Sequence, residues 1–378
     1  MKFVLAPDSF KESMNAKRAA HAMEKGIKNV FPKAECVIAP MADGGEGTVE
    51  SLVSISNGEM VSVEVVGPLG KRVTAVYGII NDGNSAVIEM ASASGIELIK
   101  PEERNPLRTT TYGTGQLIKD ALDKGVSNFL IGIGGSATND GGVGMLQALG
   151  VSFKDENGDE LLYGGGELHR LHSIDVNGLD ERLKTTQIDV ACDVTNPLTG
   201  ENGASAIFGS QKGATPEIVK VLDENLVHYS KVIKEQLGKD ITNIAGAGAA
   251  GGLGAGLLAF LSANLQKGIE LVIEYTRLED LIKDADFVFT GEGSIDGQTL
   301  FGKTPYGVAN IARKHSVPVV AFAGRIGSGV EGLYDNGFTA IIGILKEVSS
   351  LDEALKNGED NLAFAAQNIC RLIKLQKH

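Results

Sequence analysis

Short apolar runs alternate with helical patterns near the start of the chain. Residues 2–6 (KFVLA) and 35–39 (ECVIA) predict buried strands, because each is a brief apolar run with flanking polar residues. Between them, apolar side chains recur at helical spacing over residues 16–30, and Pro32 marks the end of that helix. A second helix is predicted over residues 46–56. The order strand, helix, strand, helix is typical of a parallel sheet covered by helices.

The same alternation returns after Asp284. The predicted elements there are a strand over 286–290, a helix over 304–315, strands over 317–323 and 338–345, and a helix from Asp352 onward. The middle of the chain differs, because residues 61–66, 73–80 and 85–90 predict strands joined by short turns with no helix between them. That pattern favours antiparallel pairing.

These patterns predict an α/β protein of two domains. Residues 1–66 together with 285–378 form one domain, whose parallel sheet is built from both ends of the chain. Residues 67–284 form a second α/β domain with a mixed sheet, inserted into the first.

Composition narrows the classes of function. Of the 378 residues, 43% are hydrophobic and 22% are charged, which is ordinary for a folded globular protein. The 49 glycines follow no triplet period, so they predict tight turns or backbone that approaches a small ligand. A formal net charge of −13 argues against a nucleic-acid partner. With three unpaired cysteines and no signal or membrane segment, we expect a cytoplasmic protein without a membrane partner; its oligomeric state is unknown.

Polar side chains and glycines follow almost every predicted strand. Ligands of open parallel sheets bind beyond the carboxyl ends of the strands, so these residues are the candidates for chemistry. In chain order they are Asp8, Ser9, Lys11, Asp43, Gly134, Gly135, Ser136, Thr138, Asn139, Asp193, Asn196, Gly291, Glu292, Asp296 and Arg325. Any one of them could serve only to form a turn. Together, acids, hydroxyls, cations and glycines suit a site for a nucleotide with Mg²⁺.

One motif match lies at Gly297–Thr304, which fits the phosphate-binding expression G-x-x-x-x-G-K-[ST]. In that motif the first glycine follows a strand at once, whereas Gly291–Asp296 separate Gly297 from the predicted strand. We therefore predict that Lys303 contacts a phosphate, but that the fold is not that of a P-loop NTPase.

A second match, Gly246–Gly251, fits the dinucleotide-binding expression G-x-G-x-x-G. The preceding residues, DITNIA, make a poor buried strand. The favoured interpretation is therefore that these small residues allow close packing or form a phosphate turn. The competing function is an NAD-dependent oxidoreductase that uses these glycines.

Six longer blocks of sequence carry a family resemblance. They are APDSFKES at 6–13, PMADGGEGT at 40–48, GIGGSATNDGGVGMLQALG at 132–150, ACDVTNPLTGENGA at 191–204, GAGAAGGLGAGLLAFL at 246–261 and TGEGSIDGQTLFGKTPYGVA at 290–309. These blocks resemble the bacterial glycerate kinase family, of the type 1 glycerate 2-kinases, from Met1 to about residue 370. The resemblance implies two α/β domains, one of them Rossmann-like, with the active site in the cleft between them. It also implies ATP-dependent phosphorylation of D-glycerate, with 2-phosphoglycerate as the expected product.

Under that resemblance, candidate residues acquire roles in binding and phosphorylating glycerate. Either Lys11 or Arg325 would bind the glycerate carboxylate. Lys11 is also counted among the catalytic residues. Asp193, with Asp43 as second choice, would orient the hydroxyl group and accept its proton. The remaining residues of the predicted substrate site are Asp8, Ser9 and Asn196.

The nucleotide and its metal are assigned to other strand ends. Glu292 and Asp296 would hold Mg²⁺, with waters completing its coordination. The turn between Gly134 and Gly142 would bind phosphates at a helix N-terminus, and Lys303 would support the transferred group. The residues predicted to bind nucleotide or phosphate are Gly134, Gly135, Ser136, Thr138, Asn139, Gly291 and Lys303.

Overall fold

The computed structural model describes residues 1–375, and the chain divides into two compact units. The terminal unit consists of Met1–Asp43, Glu50–Asn57 and the residues from Ile269 onward. The inserted unit consists of Gly44–Val49 and Gly58–Gly268. No helix within residues 1–375 is long and apolar enough to cross a membrane.

The strands are numbered in chain order. They are β1 (Lys2–Leu5), β2 (Glu35–Ile38), β3 (Glu59–Val66), β4 (Arg72–Ile80), β5 (Ser85–Glu89), β6 (Asn128–Gly132), β7 (Ser152–Lys154), β8 (Ser173–Asp175), β9 (Gln187–Ala191), β10 (Asn264–Gln266), β11 (Phe287–Ile295), β12 (Val319–Ile326) and β13 (Ala340–Gly343).

The α-helices are numbered in the same way. They are α1 (Ala16–Lys28), α2 (Thr48–Ser56), α3 (Ala91–Ser94), α4 (Tyr112–Asp123), α5 (Val143–Ala148), α6 (Ala204–Phe208), α7 (Pro216–Leu237), α8 (Ala249–Leu261), α9 (Gly268–Thr276), α10 (Leu278–Ile282), α11 (Thr304–Lys314), α12 (Glu331–Tyr334), α13 (Leu351–Lys356) and α14 (Gly358–Leu375).

The terminal unit contains a five-stranded parallel sheet in the order β13-β12-β11-β1-β2. The chain leaves this unit and returns to place β11 beside β1, so the two ends of the sequence share one sheet. Phe3, Phe289 and Phe322 are fully buried in its core, together with Met23 of α1 and Leu362 of α14. Burial of these large side chains holds the helices on the sheet.

The inserted unit contains a six-stranded mixed sheet in the order β10-β9-β6-β5-β4-β3. Strands β3, β4 and β5 pair antiparallel, as their short connections predicted, and β5, β6, β9 and β10 pair parallel. Phe129 and Ile131 of β6 and Leu117 and Ile118 of α4 are fully buried in a core separate from that of the terminal unit. The predicted fold class, two α/β units with a parallel and a mixed sheet, is confirmed.

The structure sets the unit boundaries differently from the sequence. Residues 59–66 form β3, which pairs with β4 along its whole length and therefore belongs to the mixed sheet. Residues 269–284 belong to the terminal unit instead, because α10 packs against α11 there. The predicted boundaries differ at these points because β3 and α9 lie directly where the chain passes from one unit to the other.

Strand β11 is longer than predicted. It continues through Gly291 to Ile295 and pairs with β12, whose own end reaches Ile326. The glycines there predicted a loop. Gly291 instead serves the sheet, because a side chain on it would collide with the carbonyl oxygen of Phe322 in the neighbouring strand. The predicted helix from Asp352 onward likewise divides into α13 and α14.

The glycines near residue 250 allow two backbone segments to pack closely together. Gly251 has a φ of +68°, and a side chain on it would collide with the carbonyl oxygen of Thr138. Gly252 (φ +87°) meets Gly141 in the same way, with 2.9 Å from a Cβ to the Gly141 Cα. Residues 238–248 contain no strand, so the strand that precedes the glycines of a dinucleotide-binding motif is absent there. Close packing, one of the two roles predicted for this run, is what Gly251 and Gly252 provide.

Candidate active site

The terminal unit brings two carboxylates to adjacent strand ends. Asp8 follows β1, and Glu292 lies near the end of β11, which pairs parallel with β1. The Asp8 backbone N–H donates to the carbonyl of Gly291 (2.8 Å), which extends the pairing up to the acids. The Asp8 carboxylate accepts hydrogen bonds from the Ser9 N–H (2.6 Å) and the Thr304 hydroxyl (2.5 Å). These two bonds fix its orientation.

Glu292 lies beside a cation and a second hydroxyl. Its Oε1 is 3.5 Å from the Lys303 ammonium and accepts a bond from the Thr299 hydroxyl at 3.3 Å. The Lys303 ammonium also donates to the carbonyl of Ser294 (3.3 Å) and retains about a third of its side-chain exposure, 37%. The Lys303 ammonium is therefore held by Ser294 and Glu292 and remains partly accessible.

Both acids hold protons more tightly than free carboxyls. Burial raises the pKa of Asp8 to about 6, and the charge of Asp43 adds to this rise while the bond from Thr304 opposes it. Burial raises the pKa of Glu292 to about 7, and the charge of Asp8 adds to this rise while Lys303 opposes it. Carboxyls that titrate near neutrality and lie at strand ends are candidates for proton transfer.

The other predicted residues of the terminal unit lie near the carboxyl ends of β1, β2, β11 and β12 and differ in exposure and contacts. Lys11, Asp43 and Arg325 are exposed, and Arg325 is part of β12, where it pairs with Ser294. Asp43 is close enough to raise the pKa of Asp8. Asp296 caps the short 3₁₀ helix Gly297–Phe301: its Oδ1 accepts from the Gln298 N–H (2.9 Å), in a reciprocal capping box with Thr299.

The phosphate-binding motif match has more structural context than its sequence indicated. Because β11 continues to Ile295, a single residue separates the strand from Gly297, and α11 begins directly after Lys303. The reason given for discounting the match was therefore wrong. The intervening residues 297–301 form a 3₁₀ helix, and the Thr304 hydroxyl is bonded to Asp8.

In the inserted unit, a glycine-rich turn follows β6. Gly134 and Gly135 are exposed, and Gly135 has a φ of +70°. Ser136, Thr138 and Asn139 are buried. The turn thus presents backbone on its outer side and polar side chains on its inner side, an arrangement that can bind an anion through N–H groups.

The helix after this turn has its N-terminus already occupied by a protein carboxylate. Asp140 is 1% exposed and accepts bonds from the backbone N–H groups of Thr111 (2.8 Å), Gly142 (3.2 Å) and Gly144 (3.3 Å). Helix α5 begins at Val143 and spans only Val143–Ala148. Asp140 thus takes N–H groups at the start of α5 that a phosphate could otherwise use, and the exposed backbone of Gly134 and Gly135 stays the predicted phosphate site of this segment.

Asp193 and Asn196 follow β9 and have structural partners. The Asp193 Oδ1 accepts a bond from the Gly268 N–H (3.0 Å), at the start of α9. The Asn196 amide donates to the carbonyl of Asn202 (2.8 Å). Asp193 remains exposed. The structure thus gives Asp193 a helix-capping role, and its predicted role as proton acceptor stays a prediction.

Sequence reasoning missed three residues that organise these clusters: Thr304, Lys212 and Asp140. Thr304 orients Asp8, and Lys212 donates to Ser136 in the glycine-rich turn. The available signals were the hydroxyl directly after Lys303 and the acid within the block at 132–150. Nothing in the sequence around Lys212 indicates that it is buried.

Acids paired at the strand ends of a parallel sheet, in a chain that also carries a glycine-rich turn backed by a lysine, are typical of α/β phosphotransferases. The family model described as "Glycerate kinase family" matches residues 3–374. Similar proteins are the glycerate kinase of Halalkalibacterium halodurans (54% identical, covering 97% of this chain and 96% of the relative) and the glycerate 2-kinase of Escherichia coli (51%, covering 99% and 98%). A solved structure from Salmonella typhimurium LT2, assigned as a glycerate kinase 2, is 50% identical with a TM-score of 0.91 and covers 100% of this chain and 99% of its own.

The chain belongs to the glycerate kinase family. The resemblance of the six sequence blocks is thereby confirmed, and so is the prediction of a kinase enzyme.

Proposed function

We propose that this protein transfers the γ-phosphoryl group of ATP to the 2-hydroxyl of D-glycerate and releases 2-phosphoglycerate and ADP. Family membership supports glycerate as the acceptor, and the name of the Escherichia coli relative, glycerate 2-kinase, supports the 2-hydroxyl. The half-buried acids Asp8 and Glu292, with Lys303 and Thr304 beside them, are the observation that carries this proposal.

Asp8 is our candidate for the group that accepts the proton. A carboxylate with a pKa of about 6 is ionised at neutral pH yet retains affinity for a proton. The proton of the glycerate hydroxyl passes to Asp8 while the hydroxyl oxygen attacks the γ-phosphorus, and the bond to the ADP oxygen breaks. Thr304 and Ser9 hold the carboxylate for this transfer. Asp193, an exposed carboxylate that accepts a bond from the N–H of Gly268, is kept as the second candidate.

Lys303 and the exposed cations suit the charges of the two substrates. The Lys303 ammonium is fixed against Ser294 and Glu292 and remains partly exposed, so it can neutralise charge on the transferred phosphoryl group. Lys11 and Arg325, exposed at the ends of β1 and β12, remain our candidates for binding the glycerate carboxylate.

Mg²⁺ is proposed as the partner of ATP. Within residues 1–375 there is no group of three or more acidic, histidine or cysteine side chains that could hold a metal. Mg²⁺ needs only one or two carboxylates when it is bound together with phosphates. Glu292 is a half-buried acid whose pKa is raised to about 7, mainly by burial and further by the charge of Asp8, and it fits that need. Glu292 with Asp296 would hold the ion, which would neutralise the phosphate oxygens of ATP.

The reaction is tested by coupled measurement of ADP release from Mg-ATP and D-glycerate, followed by NMR of the product. We expect phosphorus coupled to carbon 2. Phosphorylation at carbon 3 would keep the kinase and overturn the proposed acceptor, and an inactive protein that is folded and binds Mg-ATP would overturn glycerate as substrate.

The role of Asp8 is tested by Asp8→Asn. Because general base catalysis contributes roughly 10²- to 10⁴-fold, kcat should fall by about that factor with the KM for ATP little changed. Asp193→Asn is the matched control and should reduce kcat far less. If Asp193→Asn caused the greater loss in a folded protein, Asp193 would replace Asp8 as the proton acceptor.

A further inference from the structure

Lys212 is a buried cation that the reaction described above does not use. It ends the 3₁₀ segment Ser210–Lys212 and is 2% exposed. Its ammonium donates to the Ser136 hydroxyl and to the carbonyl of Thr138, both at 2.7 Å. Both partners are neutral. Burying an ammonium on neutral partners is costly, so a role for this arrangement is to be expected.

The two bonds of Lys212 span the inner side of the glycine-rich turn. The turn is also held by other contacts. The Thr109 hydroxyl donates to the carbonyl of Ala137 (2.8 Å), and the Asn139 amide donates to the Ser205 hydroxyl (3.0 Å). The Ala137 N–H donates to the carbonyl of Ser94 (3.0 Å), and the Ile96 N–H donates to the carbonyl of Gly135 (2.9 Å). The Thr138 hydroxyl and the Asn139 Oδ1 are buried without a hydrogen-bond partner, so these atoms do not anchor the turn themselves. Among these contacts Lys212 supplies the cation, and its two bonds tie Ser136 and Thr138 together.

The charge of Lys212 is only partly compensated. Burial lowers the pKa of Lys212 to about 7, and the charge of Asp140 opposes that fall. The Asp140 carboxylate is itself already bonded to Thr111 and to the backbone at the start of α5. Arg104, a second cation at this segment, donates to the carbonyl of Gln211 at 3.4 Å. The outer side of the turn, at Gly134 and Gly135, is exposed backbone. A buried positive charge behind exposed backbone favours an anion on the outer side.

We propose that Lys212 is a positioning residue that fixes the turn over residues 134–139, so that the exposed backbone of Gly134 and Gly135 binds a phosphate of the nucleotide. The anion is assigned to the nucleotide rather than to glycerate, and this inference rests on the proposed function. Lys212 acts through Ser136 and Thr138, because its side chain is buried on the inner side of the turn.

The test compares Lys212→Met with the matched control Tyr77→Phe. The Tyr77 hydroxyl donates to Asp120 (2.7 Å) from a fully buried position in the same unit, so its removal also destabilises that unit but leaves the turn intact. For each variant, KM for ATP, KM for D-glycerate and kcat are measured, with the Kd of Mg-ATP by calorimetry and thermal unfolding as a check on folding.

Lys212→Met should raise KM for ATP and Kd for Mg-ATP about tenfold or more, since bonds to a charged donor contribute about that factor. KM for glycerate should stay within about twofold of wild type, since in this proposal the turn binds only the nucleotide. Tyr77→Phe should lower the unfolding temperature without changing either KM. Equal effects of the two variants would reduce Lys212 to a purely structural residue, and a rise in KM for glycerate alone would move the turn to the glycerate site; either result overturns the proposal.

Ser136→Ala keeps the proposal testable should Lys212→Met not fold. It removes one acceptor of Lys212 and should raise Kd for Mg-ATP by about threefold, and the double variant should do no more than Lys212→Met alone. An unchanged Kd in Ser136→Ala contradicts the proposal. Should wild type bind Mg-ATP but not phosphorylate glycerate, the proposed function fails and the Kd values still decide on Lys212. Should it not bind Mg-ATP, both fail.

Discussion

The carboxylates of this protein have different roles, which depend on their hydrogen-bond partners and their position in the fold. Asp140 is completely buried, but backbone N–H groups and the Thr111 hydroxyl surround it, and it serves to organise a turn and a helix start. Asp8 has two donors and two acidic neighbours, and Glu292 has a lysine and a hydroxyl. Asp8 and Glu292 lie at strand ends, where a ligand can reach them. The position of the acid, more than its burial, therefore separates the two roles.

Asp8 is expected to reduce stability at neutral pH. Its pKa is raised from 3.8 to about 6, so the folded state binds the proton more tightly than the unfolded state. Stability from this group is complete below pH 3.8 and is lost as pH rises through about 6. Asp8→Asn should lack this loss and gain about 1–2 kcal/mol relative to wild type between pH 4 and pH 7, less than the full shift because Asp8 is partly exposed.

Urea unfolding from pH 4 to pH 7, with a metal chelator present and without nucleotide, measures the stability difference between Asp8→Asn and wild type. Asp352→Asn, at an exposed position, is the control and should show almost no change. A constant difference between Asp8→Asn and wild type over this range would show that Asp8 titrates at its ordinary pKa.

The pH dependence of the reaction follows from the same pair. A proton acceptor must be ionised, so kcat/KM should fall as pH drops below an apparent pKa of about 6 to 7, which belongs to Asp8 and Glu292 together. Stopped assays from pH 5 to pH 9 measure it. Asp193→Asn should retain this acid limb, and its disappearance in that variant would argue for Asp193 as the base.

Among the elements, glycines decide how closely the segments of the inserted unit approach. Gly251 and Gly252 let the start of α8 lie directly on the backbone of residues 138–141. Gly44 likewise packs against Ala191 at the end of β9, with no room for a side chain. These contacts explain why the glycine-rich blocks, which lie far apart in sequence, form neighbouring turns at the ends of the parallel strands.

Gly251→Ala should destabilise the protein strongly. The substitution adds the strain of a left-handed conformation, about 1–2 kcal/mol, to a collision with the Thr138 carbonyl, for a total of about 2–4 kcal/mol. Gly158→Ala is the matched control, because Gly158 has a φ of +83° but no atom within 4 Å of a new Cβ. Denaturant unfolding of both variants separates the backbone strain from the collision. Equal losses of stability in the two variants would show that the collision with the Thr138 carbonyl contributes nothing.

The whole molecule consists of two units with separate cores, and each carries one of the polar clusters. The acid pair lies in the terminal unit, and the lysine-backed turn lies in the inserted unit. If the protein is a kinase, its nucleotide substrate should raise the free energy of unfolding.

Mg-ATP should stabilise the protein, and NADH should not. A ligand at 100 times its Kd adds about 2.7 kcal/mol to the free energy of unfolding, which a thermal shift measures readily. NADH at equal concentration is the control, since the run at 246–252 packs the chain rather than following a strand. Stabilisation by NADH and not by Mg-ATP would restore the oxidoreductase alternative.

The sequence by itself determined the fold class, the family and the strand ends at which the polar residues gather, because apolar periodicity is local and each strand is followed directly by its own residues. Asp8, Ser9, Glu292 and Lys303 were found in this way, and the structure brings them together. Only the tertiary structure decided which partners complete the clusters. The bonds of Thr304 to Asp8 and of Lys212 to Ser136 join residues 296 and 76 positions apart, so they depend on how sheets and helices pack. Packing also let β11 continue through its glycines and made Asp193 a partner of Gly268, since burial and hydrogen bonding act between neighbours in space rather than in sequence.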